Sequence, residues 1–145
     1  MEASSPEERL ALVGRAWDAY NAGDLETGLE MFDAEVEVYT SPQLANAGTY
    51  RGREELVGWI AAWNEAWESF HLNDVETVPV GEYHAVTRMQ QTGIGRGSGV
   101  EVTMETGWVY EVRDGHCVHM GVHPSFESAL AVARKREWME PGVAS

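Results

Sequence analysis

The apolar residues of this chain change their spacing near residue 70, and that change limits the fold more than any other feature. Before it they recur at intervals of three and four, the period of helices with one buried stripe; after it they alternate, the period of strands. Ser5 can cap a first helix, with Pro6 in its first turn and Glu8 completing a Ser-x-x-Glu capping box. Leu10, Val13, Trp17 and Tyr20 form its stripe, Gly23 stops it, and Asp24 caps a short second helix carrying Leu25, Leu29 and Phe32. Ala34 to Thr40 alternates acid and valine and predicts a half-buried strand. Ser41 to Tyr50, with Pro42, Asn46 and Gly48, predicts a loop. A third helix from Arg53 sets Leu56, Trp59, Ile60, Trp63 and Trp67 on one side.

Four strands follow, over His71–Pro79, Tyr83–Gly93, Val100–Val112 and His116–His123, with Asp114-Gly115 as a strong hairpin signal. Ser125 caps a last helix, whose Arg134, Lys135 and Arg136 suit the negative end of its dipole. Helices followed by antiparallel strands predict an α+β fold: a curved, mostly antiparallel sheet closed on its concave face by three helices around a cone-shaped cavity. The 145 residues fit one domain, with a core over about residues 7–135 and a frayed tail over 140–145. A net charge of −14 repels phosphate and anionic lipid, which argues against nucleic acid and membrane partners. The acidic start, with no apolar stretch, is not expected to be a signal peptide; no run is long enough for a membrane span, and one cysteine, Cys117, excludes an internal disulfide. A cytoplasmic protein is expected.

Four short motifs carry a family resemblance: Tyr20-Asn-Ala-Gly-Asp24, Met31-Phe32-Asp33, Tyr50-Arg-Gly-Arg-Glu54 and Arg113-Asp-Gly115. With this element order the chain resembles the SnoaL-like and ketosteroid-isomerase-like branch of the nuclear-transport-factor-2-like superfamily, over about residues 7–135. The resemblance implies that fold, and for chemistry it removes more than it adds, because one fold hosts many functions. The isomerases' catalytic aspartate would fall on Thr40, their oxyanion-hole tyrosine on Ala16 and their protonated aspartic acid on Gly107. The arginine and two acids of the limonene-epoxide-hydrolase branch would fall on Arg88, Gln90 and Val122, keeping only the arginine. The carboxylate of polyketide cyclases near the end of the last strand has no counterpart before Glu127.

Alternation places Val86, Arg88, Gln90 and Thr92 on one face of their strand, expected to be the cavity face, with Glu105 beside them on the next strand. An inward arginine must be paired, and Glu105 is its nearest partner. The pair is either a base (Glu105) steered by Arg88 or a structural ion pair. Trp17, Tyr20, Phe32, Val38, Thr40, Trp59, Trp63, Gln90, Met120 and Val122 are the expected substrate-binding residues. No metal and no cofactor are expected. His119 and His123 share a strand face but lie roughly 13 Å apart along it, too far to ligate one metal alone. His71, His84 and His116 are expected in solvent, and Cys117 is expected as a buried thiol on the side of His119. The glycines between Gly93 and Gly99 join strand to strand, so they form a hairpin tip and not a phosphate loop.

Two functions fit these expectations. One is a cofactor-independent enzyme of the SnoaL-like kind doing cyclase, isomerase or hydrolase acid–base chemistry on a hydrophobic polycyclic or aromatic substrate. The alternative is a non-catalytic binder or carrier of a small hydrophobic molecule; a third, a protein that only dimerises, remains. An enzyme of this fold needs a cavity carboxylate or histidine, and a carrier needs none. Met89, Gln91, Trp108, Tyr110, His119 and His123 are expected on the convex sheet face, where in relatives of the family a dimer commonly forms. A homodimer through that face follows.

Overall fold

A computed structural model describes residues 5–44 and 47–138; Asn46 of the expected loop, residues 1–4 at the start of the chain and the expected frayed tail over 140–145 lie outside them. Helix α1 spans Pro6–Asn21 and α2 spans Leu25–Leu29, each starting at the cap that the sequence signals. Ser5 and Glu8 complete the capping box, and Asp24 accepts from the Thr27 amide. Phe32, expected on the second helix, is instead the first residue of β1, Phe32–Thr40. The expected loop holds a short strand, β2 (Gly48–Arg51), which pairs with β1 and leads into α3 (Gly52–Glu65). Trp67, expected on that helix, opens β3 (Trp67–Val80), where its ring packs against Phe70 at 5.6 Å. Strands β4 (His84–Gly95), β5 (Glu101–Arg113) and β6 (His116–His123) follow, then α4 (Phe126–Arg136).

The six strands form one sheet in the order β2-β1-β6-β5-β4-β3, antiparallel except where β1 runs parallel to β6. This is the expected α+β architecture with a mostly antiparallel sheet. Helices α1, α2 and α3 lie over the concave face, and Val13, Trp17, Leu56 and Trp59 from α1 and α3 join Val36, Val38, Trp108 and Met120 from the sheet in the main core.

The fourth helix goes to the other side. Phe126, Ala129 and Ala133 of α4 pack on Val86 and Val109, a second core on the convex face. Gly107 makes this approach possible: a Cβ there would run into the Ser125 carbonyl oxygen and lie 2.6 Å from the Ala129 Cβ. Two cores, one on each side, bury both faces of β4 and β5 over part of their length, and this inverts the expected face assignment. Met89, Gln91, Trp108 and Tyr110, expected outside, face the helices, whereas Arg88, Gln90 and Glu105, expected inside, lie on the convex side.

A bulge in β6 adds a second correction. Val112 pairs with Cys117 but Glu111 pairs with His119, so the face changes between them. Cys117 therefore lies in the main core, and His119 lies on the opposite side.

Candidate functional site

Between the three inner helices and the sheet lies a cavity that opens to solvent, with about 760 Å³ of empty space counting that opening. Helix α1 supplies Ala16, Trp17 and Tyr20; α3 supplies Leu56, Trp59, Ile60 and Trp63; the sheet supplies Thr40, Leu72, Gln91, Trp108, Met120 and Val122. Trp108 stands at the centre, edge-on to Trp17 at 5.0 Å and to Trp59 at 6.0 Å. Trp63 stacks on Trp59 at 6.4 Å and meets Phe70 edge-on at 5.4 Å. Such edge-on contacts hold large rings rigidly and leave a wall of aromatic faces.

The few polar groups of this region are mostly engaged with one another. The Trp17 indole N–H donates to the Tyr110 hydroxyl at 2.7 Å, and the Thr87 side chain also bonds that phenol. Complete burial pushes Tyr110 far above the ordinary phenol range, so it stays neutral. The Trp108 indole N–H donates to the Thr106 hydroxyl at 2.9 Å, and Thr106 donates onward to the Gln91 side-chain oxygen. Tyr20 is also raised by burial, against a hydrogen bond to the Asn64 side-chain oxygen at 3.4 Å. Thr40 Oγ1 and Trp59 Nε1 are buried with no protein partner. No Asp, Glu, His, Lys, Arg or Cys lines the cavity among the described residues.

Of the residues expected to bind substrate, Trp17, Tyr20, Phe32, Thr40, Trp59, Trp63, Met120 and Val122 line this cavity. Val38 is fully buried in the core beside it. Gln90 is exposed on the convex side. Arg88 and Glu105 do pair, Nη1 to Oε1 at 3.0 Å, but on the outer face and half-exposed. There the guanidinium lies 4.3 Å over the Phe126 ring of α4, with Glu76 at 3.7 Å. Neither group reaches the cavity, so the expected base and its arginine are corrected to a surface ion pair. Gln91, Trp108 and Leu72 are cavity residues that alternation assigned elsewhere or passed over; the hairpin pairing of Trp108 with Val122 is the signal that joins the first of these faces.

The charged groups that are buried gather on the convex side instead. Glu111 accepts from Arg113 Nε at 2.7 Å and Arg136 Nη2 at 3.2 Å, with His84 Nε2 at 3.5 Å. His84 is fully buried, not in solvent as expected, because its Nδ1 bonds Glu137. Glu137 also accepts the amides of Glu82 and Tyr83, while Arg9 of α1 donates to the carbonyls of Val80, Gly81 and His84. This hub ties α1 and the end of α4 to the β3–β4 turn. Beyond it, Glu37 bonds His119 Nδ1 at 2.9 Å and Arg51 at 2.7 Å. The rings of His119 and His123 lean together over Gly121, their Nε2 atoms 3.4 and 2.9 Å from where a Cβ on that glycine would stand. The roughly 13 Å expected between them along the strand is thus closed by their side chains.

Residues 13–120 match the SnoaL-like domain family. The chain belongs to the SnoaL-like family. The fold of this SnoaL-like protein is shared with a nuclear-transport-factor-2-like protein from Burkholderia thailandensis, at 18% identity and a TM-score of 0.75, covering 90% of this chain and 98% of that one. Bal32a, from a soil-derived mobile gene cassette, aligns at 22% identity and a TM-score of 0.74, over 81% of this chain and 89% of its own. TerC, whose structure was determined with polyporic acid, aligns at 15% identity and a TM-score of 0.72, over 88% and 98%. No curated protein matches the sequence. No helix among the described residues is long and apolar enough to cross a membrane.

Proposed function

We propose that this SnoaL-like protein binds a small hydrophobic, aromatic molecule in its cavity and performs no acid–base chemistry on it. The observation that carries this is the lining: tryptophans, aliphatic side chains and neutral polar groups, with no carboxylate, imidazole or thiol among the described residues that line the cavity. General acid–base catalysis requires a group that exchanges a proton near neutral pH, within hydrogen-bond reach of the reacting atom. Thr40 does not do so, and burial keeps Tyr20 a neutral phenol. The carboxylate offered for catalysis, Glu105, lies across the sheet from the cavity. A rigid aromatic wall is what a carrier uses instead, since flat rings gain contact area with little loss of freedom.

The test is native mass spectrometry of the purified protein, followed by tryptophan-fluorescence titration with the molecule that co-purifies. Ile60→Trp, at a lining position of α3, fills part of the cavity. That variant is expected to bind at least roughly tenfold more weakly while its melting temperature stays within a few degrees of the parent, since its extra ring enters open space. Undiminished binding by a folded Ile60→Trp protein, or chemical conversion of the bound molecule, overturns the proposal.

A further inference from the structure

The direction of one hydrogen-bond chain decides what the cavity can recognise. An indole nitrogen only donates, so Trp108 fixes the Thr106 oxygen as its acceptor. Thr106 then has one proton to give, and it goes to Gln91. The Gln91 carboxamide is held by its oxygen, and no hydrogen bond runs from its nitrogen to another of the described residues. Gln91 lines the cavity, on the same wall as Trp108. Two buried polar groups of the described lining also lack a partner: Trp59 Nε1, again only a donor, and the Thr40 hydroxyl. A donor surplus with no fixed charge selects against two kinds of ligand. A carboxylate would enter without a counter-cation, and a ligand that brings only further donors would leave them unsatisfied.

We propose that Gln91 is the polar anchor of the cavity, and that the ligand is a neutral flat molecule whose hydrogen-bond acceptor, a carbonyl or ring ether oxygen, docks on the Gln91 side-chain nitrogen. This rests on the cavity being a binding site, as proposed above. Thr106 is a positioning residue: it touches no ligand but sets which end of the Gln91 amide faces in. Trp108 shares that role while forming the wall.

The experiment compares 9-fluorenone with fluorene, two flat molecules of nearly one shape that differ in a single carbonyl, by tryptophan-fluorescence titration. Fluorenone is expected to bind the parent protein roughly fivefold more tightly, the scale of one neutral hydrogen bond, although fluorene is the more hydrophobic of the two. Gln91→Met removes the donor at similar volume, and it should erase the preference for fluorenone over fluorene. Thr106→Val frees the amide to turn over, so the preference should shrink there with Gln91 still present. Equal affinities in the parent protein overturn the anchor without any variant having to fold, and a preference that survives in Gln91→Met does the same. If neither molecule binds the parent protein, the anchor and the binding site fall together, an outcome distinct from binding without preference.

Discussion

Glu111 and His119 are cross-strand partners on the convex side, and each titrates in the direction that makes the fold acid-sensitive. Burial opposes the Glu111 charge, but the hydrogen bonds from His84 and Arg113 outweigh it and hold the carboxyl at about 2 against an ordinary 4.5. Burial first, and then the Arg136 charge, lowers His119 from 6.5 to about 4, against the pull of Glu37; His123 is lowered by the same two causes. A histidine lowered on folding binds fewer protons folded than unfolded, so its stabilisation is present above about pH 6.5 and drains away as pH falls toward 4. The Glu111 contribution is lost later, between about 4.5 and 2. Urea unfolding should show stability falling by about 2 kcal/mol from near pH 7 to pH 4.5, and His119→Gln should flatten that slope. A slope unchanged in the variant would place the acid sensitivity elsewhere. Glu111→Gln should cost about 3 kcal/mol at neutral pH, because it leaves Arg113 and Arg136 buried beside a neutral partner. Arg88→Met and Glu105→Gln should each leave the urea unfolding midpoint nearly unchanged and cavity ligands bound as tightly as before, as befits a solvent-exposed pair.

At the scale of elements, the decisive contact is α4 against β5. Gly107→Ala would push a methyl group into the Ser125 carbonyl and the Ala129 side chain, so the helix must lift or the strand must bend. The expected cost is about 1–3 kcal/mol by chemical denaturation, with near-UV circular dichroism reporting the loosened Phe126; a neutral result would mean that α4 shifts freely. This contact also marks where the sequence stops being legible. The caps, the helix stripes, the Asp114-Gly115 turn and the order of elements follow from local chemistry, and each stands close to where that chemistry puts it. Which face of β4 and β5 looks inward does not, because Val86 and Met89 are equally buried on opposite sides. Alternation distinguishes faces only when one of them is wet. The β6 bulge then reverses the face between Cys117 and His119, a one-residue event that leaves no mark in the apolar pattern. The tryptophans of α1 and α3 were readable as cavity wall because helices expose one stripe; Gln91 was not, because it looks like any polar residue on an outer face.

Among the described residues, the buried histidines and Glu111 lie across the sheet from the cavity, whose lining is neutral and largely aromatic. With Met89, Gln91, Trp108 and Tyr110 inside and His119 and His123 buried within the chain, the two-fold homodimer through the convex face keeps little of the patch expected for it and stands as a proposal only. Light scattering at micromolar concentration should then give twice the chain's mass, and the mass of a single chain would end that proposal. The same segregation makes ligand binding and acid sensitivity independent of one another. A ligand present at about a hundred times its dissociation constant adds about 2.7 kcal/mol to stability whatever the size of the baseline. For a chain of 145 residues that corresponds to a rise of about 8 °C in the melting temperature. Between about pH 8 and pH 5 the baseline should decline as His119 and His123 begin to lose their folded-state advantage, while the ligand's increment in free energy stays constant within about 0.3 kcal/mol. That constancy is expected because none of the described residues lining the cavity changes its charge over that range. An increment that itself varied with pH, measured with a ligand that has no titrating group of its own, would reveal a proton-exchanging side chain in contact with the bound molecule. Acid–base chemistry would then return to this cavity, and a simple carrier would no longer describe it.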